Sequence, residues 1–155
     1  MAKVMSAALE DYLEAIAELT REQPGARVRD IAARVGVHKS TVTAALHSLS
    51  DKGLVDYRPY AAATLSAAGR VLADEIRRRH RILRRFFRDV LGLDAATADA
   101  NACRLEHAIG GRCLERLLAF LQFIESTGGS AEVPREFASF LQTRGLAGTP
   151  AAEGG

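Results

Sequence analysis

Residues 28–65 place the tightest limits on what this chain can fold into. Val28-Arg29-Asp30-Ile31-Ala32-Ala33-Arg34-Val35 reads as a short helix, and Gly36 as the turn that ends it. A second helix starts at Lys39 or Ser40 and runs to about Lys52, with Val42, Ala45, Leu46 and Leu49 as its buried face. Gly53 fits the left-handed position that closes such a helix. Leu54 to Arg58 and Ala63 to Leu65 then read as two short strands around a turn at Pro59-Tyr60-Ala61-Ala62. Two helices joined at a glycine and followed by a two-stranded hairpin spell a winged helix-turn-helix.

In such a module the first helix of the pair braces and the second enters the major groove of double-stranded DNA. The groove-facing residues lie near the start of the second helix, away from its apolar face. That points to Lys39, Ser40, Thr41 and Thr43, with Arg58 on the wing reaching the neighbouring backbone. Ser and Thr can serve phosphates or base edges, and Lys39 a phosphate or a guanine. His38 and His47 have no partner at metal-ligand spacing; His47 is expected at the surface.

Around this module the pattern is helical. Ser6 is placed to cap a first helix over about 7–22, with Leu9, Tyr12, Leu13, Ile16 and Leu19 as its apolar stripe and Pro24-Gly25 as its stop. After the wing, Ser66 caps a long helix over about 67–90, Gly92 breaks it, and Asp94 caps another over about 95–109. Gly110-Gly111 precedes a helix near 112–125, Thr127-Gly128-Gly129-Ser130 is a joint, and 134–142 can form a last helix. The expected organisation is mainly α: a winged helix-turn-helix over 1–72, an all-helical domain over 73–143, and a Gly/Ala/Pro-rich tail over 144–155 expected to be disordered.

Composition narrows the class. A chain of 155 residues, 48% hydrophobic, can bury a good core. No apolar run approaches the ~20 residues of a membrane span, and the N-terminus lacks the apolar core of a signal peptide, so a cytoplasmic protein with no membrane partner is expected. Two cysteines, Cys103 and Cys113, make no disulfide framework. The formal net charge is only +2, but seven arginines (77, 78, 79, 81, 84, 85 and 88) crowd the long helix. Such a run is read as a solvated face, or as a contribution to a field that attracts DNA.

The chemistry-bearing residues sit elsewhere. In Ala102-Cys103-Arg104-Leu105-Glu106-His107 a thiol, a carboxylate and an imidazole share one flank of a helix, since positions three and four apart differ by only about 60° and 40°. That donor set suits a divalent transition ion. Asp11 and Glu14 share a flank of the first helix, and His80 stands amid the arginines. Taken singly each has a plainer reading: a packed cysteine, dipole partners near a helix start, a surface histidine.

Together these segments resemble the diphtheria toxin repressor family of metal-dependent transcriptional regulators. The resemblance covers about residues 6–125. It rests on Glu10-Asp11-Tyr12-Leu13-Glu14, Ile31-Ala32 through Val42-Thr43, Arg79-His80-Arg81 and Ala102 to His107. It implies that the second domain dimerises, and that a divalent corepressor fixes the first helix against that domain. The implied ligands are Asp11, Glu14, His80, Cys103, Glu106 and His107. Asp11 and Glu14 match the manganese-responsive branch, Cys103 the iron-responsive branch, and the other three both branches, so the site is a hybrid. The iron branch's ancillary site is expected to be missing, because Arg84 and Asp99 stand where it has Glu and His. Leu114, Leu117, Leu118 and Leu121 are candidates for the dimer face or, equally, for core within the chain.

The carboxylates favour Mn²⁺ and the thiolate tips the balance toward Fe²⁺, with one ion per subunit the simpler expectation. The expected protein is thus a homodimeric repressor that binds palindromic operator DNA when Fe²⁺ or Mn²⁺ is present, with no organic cofactor. The alternative is a thiol-based redox sensor that uses Cys103. An enzyme is disfavoured, since no oxyanion loop or Gly-rich phosphate cradle is evident.

Overall fold

The structure is a computed structural model that describes residues 5–128 and 132–145. Within these, seven α-helices and two short strands run in the order α1 (Ala7–Glu22), α2 (Val28–Val35), α3 (Lys39–Asp51), β1 (Val55–Asp56), β2 (Thr64–Leu65), α4 (Ala67–Arg85), α5 (Ala95–Glu106), α6 (Gly111–Ser126) and α7 (Glu132–Thr143). The expected mainly α architecture with a winged helix-turn-helix at its front is what forms. The chain divides into two compact units, 1–77 and 78–155, and the boundary falls inside α4. Residues 146–155 of the expected tail, and Gly129 and Ser130 of the expected joint, lie outside the described residues. Among the described residues no helix is long and apolar enough to cross a membrane.

The first unit is built on the stripe read from α1. Leu13 and Ile16 pack with Ile31 of α2 and with Val42, Leu46 and Leu49 of α3, all six fully buried. Burial of one such side chain contributes about 1.5–3 kcal/mol, which is why three short helices hold together. Gly36 caps α2 at φ +77° and its N–H donates to the Ala32 carbonyl, so the chain can turn sharply into α3. β1 and β2 pair antiparallel, Val55 with Leu65 and Asp56 with Thr64. Ala26 and Ala63 exchange two backbone hydrogen bonds of 2.8 Å, which tie the α1–α2 connection to the wing.

Ser66 joins wing to α4. Its hydroxyl donates to the Gly53 carbonyl at 2.7 Å and accepts from the Gly69 N–H at 3.0 Å, capping α4 as its sequence position foretells. Asp94 likewise caps α5 by accepting from the Thr97 N–H at 2.9 Å. Ser6 holds the cap position of α1, but its side chain makes no capping bond.

The second unit packs Ile82 and Leu83 of α4 against Ala102 of α5 and Leu114 and Leu121 of α6. Leu117 and Leu118 lie half-buried against the same cluster, so these four leucines serve the chain's own core. Among the described residues of this unit, the large apolar side chains left exposed are instead Leu105 on α5, Phe120 and Phe123 on α6 and Phe140 on α7. The long helix also ends earlier than its apolar pattern predicts: α4 stops at Arg85, and Phe86–Val90 forms a wider π-helical turn. Such a turn shifts the helix phase, and Phe86, Phe87 and Val90 all reach the core.

Candidate metal centre

The two halves of the proposed ligand set sit on different units. Asp11 and Glu14 lie on α1, both half-buried, beside a buried Glu10 that sequence reasoning did not single out. His80 on α4, Glu106 at the end of α5 and His107 just beyond it belong to the second unit, and Glu106 contacts both histidines. The His80 Nδ1 is 2.7 Å from Glu106 Oε2, and His107 Nε2 is 3.4 Å from Glu106 Oε1. Glu106 is fully buried, and Oε1 makes no hydrogen bond among the described residues. A buried carboxylate oxygen in that state is costly unless a cation or donor meets it.

His80 is gripped on both sides. Its Nε2 lies 3.1 Å from Asp99 Oδ1, so each ring nitrogen faces a carboxylate and each must carry a proton to donate. Donation of a hydrogen bond to Glu106 raises the His80 pKa to about 9 against the opposing effect of burial, and Asp99 adds to the rise. In the ion-free protein His80 is an imidazolium at neutral pH. Because its folded pKa lies above the ordinary 6.5, the stabilisation from this pairing is complete below about pH 6.5 and is lost as pH rises through about 9. An NMR titration of the ion-free chain should therefore find the His80 imidazole titrating near pH 9, and Glu106→Gln should move it back toward 6.5. An ordinary His80 titration in the unaltered chain would remove this picture.

Cys103 departs from the plain reading of a packed cysteine. It is exposed on α5, one turn before Glu106, while its neighbour Ala102 is the buried residue. No three His, Cys, Asp or Glu side chains among the described residues are gathered into a formed metal-binding group. The donor chemistry nonetheless fits a divalent ion: two imidazoles, an enclosed carboxylate and a thiol one turn before it on α5. An ion held by His80 would have to displace a proton from one ring nitrogen.

Four of the seven arginines in the run face carboxylates of their own unit. Arg77 faces Asp74, Arg84 faces Asp99, Arg85 pairs with Glu125, and Arg88 bonds Asp89. This is what the solvated-face reading expects of those four side chains.

Four of the five residues expected at DNA are exposed. Lys39, Ser40 and Thr41 are exposed at the start of α3, and Arg58 is exposed on the wing. Thr43 is half-buried and its hydroxyl donates to the Lys39 carbonyl at 3.1 Å. His47 is at the surface, edge-on to Tyr57 at 5.4 Å, which braces α3 against the wing. Arg27, Arg29, Lys39, Thr43 and Tyr57 line a groove of roughly 680 Å³. Tyr60 at the wing tip is fully exposed at φ +67°, a conformation uncommon for a residue with a Cβ. Its turn position is readable in the sequence, but its full exposure is not.

Two family models match successive parts of the chain. Residues 4–63 match the iron dependent repressor N-terminal DNA binding domain, and residues 66–134 match the iron dependent repressor metal binding and dimerisation domain. An HTH-type transcriptional regulator of Methanocaldococcus jannaschii is 36% identical over 119 residues, 76% of this chain and 95% of the relative. The transcriptional regulator MntR of Salmonella typhi is 37% identical over 124 residues, 80% of this chain and 76% of the relative. Among solved structures, a manganese-dependent transcriptional repressor in complex with manganese shares 34% identity at a TM-score of 0.68, over 74% of this chain and 53% of that one. The manganese regulator SloR shares 29% at 0.68, over 77% of this chain and 55% of that one. The chain thus spans about half the length of these solved chains. It belongs to the iron-dependent repressor family, also known as the diphtheria toxin repressor family, whose members are metal-dependent transcriptional regulators and not enzymes.

Proposed function

We propose that this chain is a cytoplasmic repressor that binds palindromic operator DNA as a homodimer when one Fe²⁺ or Mn²⁺ ion per subunit is bound. The observation that carries the reading is the buried Glu106 between His80 and His107, with one oxygen left without a hydrogen bond. Six residues are assigned to the ion: Asp11, Glu14, His80, Cys103, Glu106 and His107. When bound, the ion supplies a local double positive charge and fixed donor directions. On this reading Asp11, Glu14, Glu106 and a Cys103 thiolate would each offer an anionic donor that such a cation offsets. To hold the ion His80 would give up one proton, and Glu106, which now faces that imidazolium, would offer its carboxylate to the ion. The carboxylates suit Mn²⁺ and the thiolate suits Fe²⁺.

Lys39, Ser40, Thr41 and Thr43 are assigned to the major groove and Arg58 to the flanking backbone. A good base contact is worth ~1–3 kcal/mol of discrimination. Exposed Phe120, Phe123 and Phe140 offer the apolar surface that a second copy would cover. Two recognition helices in a dimer read half-sites about 34 Å apart.

Binding is tested anaerobically on palindromic DNA selected from a random pool in the presence of the ion. Fe²⁺ or Mn²⁺ should tighten binding by roughly 5–150-fold, the usual range of such coupling. Equal affinity with and without either ion would sink the proposal. A Cys103→Ser chain that keeps the ion response but loses a response to peroxide would favour the thiol sensor instead.

A further inference from the structure

The side of His80 away from Glu106 is also occupied. Asp99 on α5 places Oδ1 3.1 Å from the His80 Nε2. Arg84, one turn after His80 on α4, places Nε 3.3 Å from the same oxygen, an ion-pair contact outside good hydrogen-bond geometry. His80, Asp99 and Arg84 thus form a chain running outward from the buried Glu106, through a ring that is mostly buried, to a carboxylate that is more than half exposed. All these groups lie in the second unit. A histidine that ligates an ion commonly donates its other ring N–H to a carboxylate, which sets the tautomer and the ring angle.

Resting on the metal reading above, we propose that Asp99, steadied by Arg84, is a positioning residue for the ion: it holds the proton on His80 Nε2 and so presents Nδ1, the nitrogen that faces Glu106, as the ligating atom. The geometry supports Nδ1 over Nε2. Nδ1 points toward the enclosed carboxylate and the His107 side, whereas Nε2 points to the exposed Asp99. Arg84 adds a fixed positive charge on that outer side, which disfavours a second cation beside Asp99. Asp99 therefore serves the single ion from outside its coordination shell and is not itself a ligand.

The test uses the full chain, its Asp99→Asn and Asp99→Ala variants, and Zn²⁺ as a diamagnetic probe. Both substitutions remove the same charge, so their difference isolates the hydrogen-bond acceptor that asparagine keeps and alanine lacks. Zn²⁺ affinity is measured by competition with a chelator, and nitrogen NMR of the imidazole reports which His80 nitrogen carries the proton. Asp99→Ala should bind Zn²⁺ about 10-fold or more weakly than Asp99→Asn, as loss of an outer-shell partner generally does. The Zn²⁺-loaded unaltered chain should show a protonated Nε2 and an ion-bound Nδ1. Equal affinity of the two variants, or an ion on Nε2, overturns the positioning role while leaving the metal reading intact. No Zn²⁺ bound by the unaltered chain, under conditions where Mn²⁺ and Fe²⁺ also fail to bind, overturns the metal reading and this inference with it.

Discussion

Glu106→Gln should lower the chain's affinity for Mn²⁺ and Fe²⁺ by more than about 100-fold and abolish their effect on operator binding. Outer-shell partners of metal ligands already account for 10–100-fold, and Glu106 is assigned to the ion directly. It is also fully buried with one oxygen lacking a hydrogen bond, so no solvent-exposed rotamer offers a substitute. Glutamine has nearly the same volume, which spares the packing around the buried side chain. Stranding a buried charge typically costs 3–5 kcal/mol, but His80 can shed its proton once Glu106 is neutral, so the folding penalty should be well below that. Calorimetric ion titration, with thermal unfolding of the ion-free variant as control, separates the two effects. An ion affinity within a few fold of the unaltered chain, in a folded variant, would remove Glu106 from the site.

Gly69→Ala should destabilise the first unit by about 3 kcal/mol, lowering the melting temperature by on the order of 10 °C. A Cβ on Gly69 would sit 1.9 Å from the Leu54 carbonyl oxygen and 2.9 Å from its carbon. These are backbone atoms, and the same carbonyl accepts from the Ser66 N–H at 3.0 Å, so it cannot simply turn aside. Either α4 moves off the wing or the Ser66 cap breaks. Operator binding should suffer too, because β1, β2 and the Ser66 hydroxyl hold the wing in place. An alanine variant that melts with the parent chain would show that α4 and the wing can slide apart freely.

Much of the first unit is legible in the sequence because its signals are local. The spacing of Leu9, Tyr12, Leu13, Ile16 and Leu19 marks the inner face of α1, and Gly36 and Gly53 take the positive φ that ends a helix or tight turn. The caps at Ser66 and Asp94 form as the residue types predict, because a cap needs only a side chain and a backbone N–H two or three residues on. Ser6 shows the limit: a favoured residue type at the right position still makes no capping bond. The extent of α4 is less legible, since its apolar pattern continues through Phe86, Phe87 and Val90 into the π-helical turn.

The candidate site divides differently. Which residues could ligate an ion comes from residue type and from the family resemblance, and the spacing of Cys103, Glu106 and His107 adds only that they share a flank. Local pattern says nothing about His80 meeting Glu106, 26 positions away, or Asp99, 19 positions away. Nor does it separate the buried Glu106 from the exposed Cys103 three residues earlier on the same helix. A residue's exposure depends on how neighbouring helices cross, and that is set by the summed packing of Ile82, Leu83, Ala102, Leu114 and Leu121. For this protein the sequence by itself determined the order of helices, the winged module and the pool of candidate donors, because turns, caps and periodicity act over a few residues. Only the tertiary structure decided that His80 is held as an imidazolium between two carboxylates and that Glu106 is enclosed, because electrostatic partners and burial arise from chain segments brought together by packing.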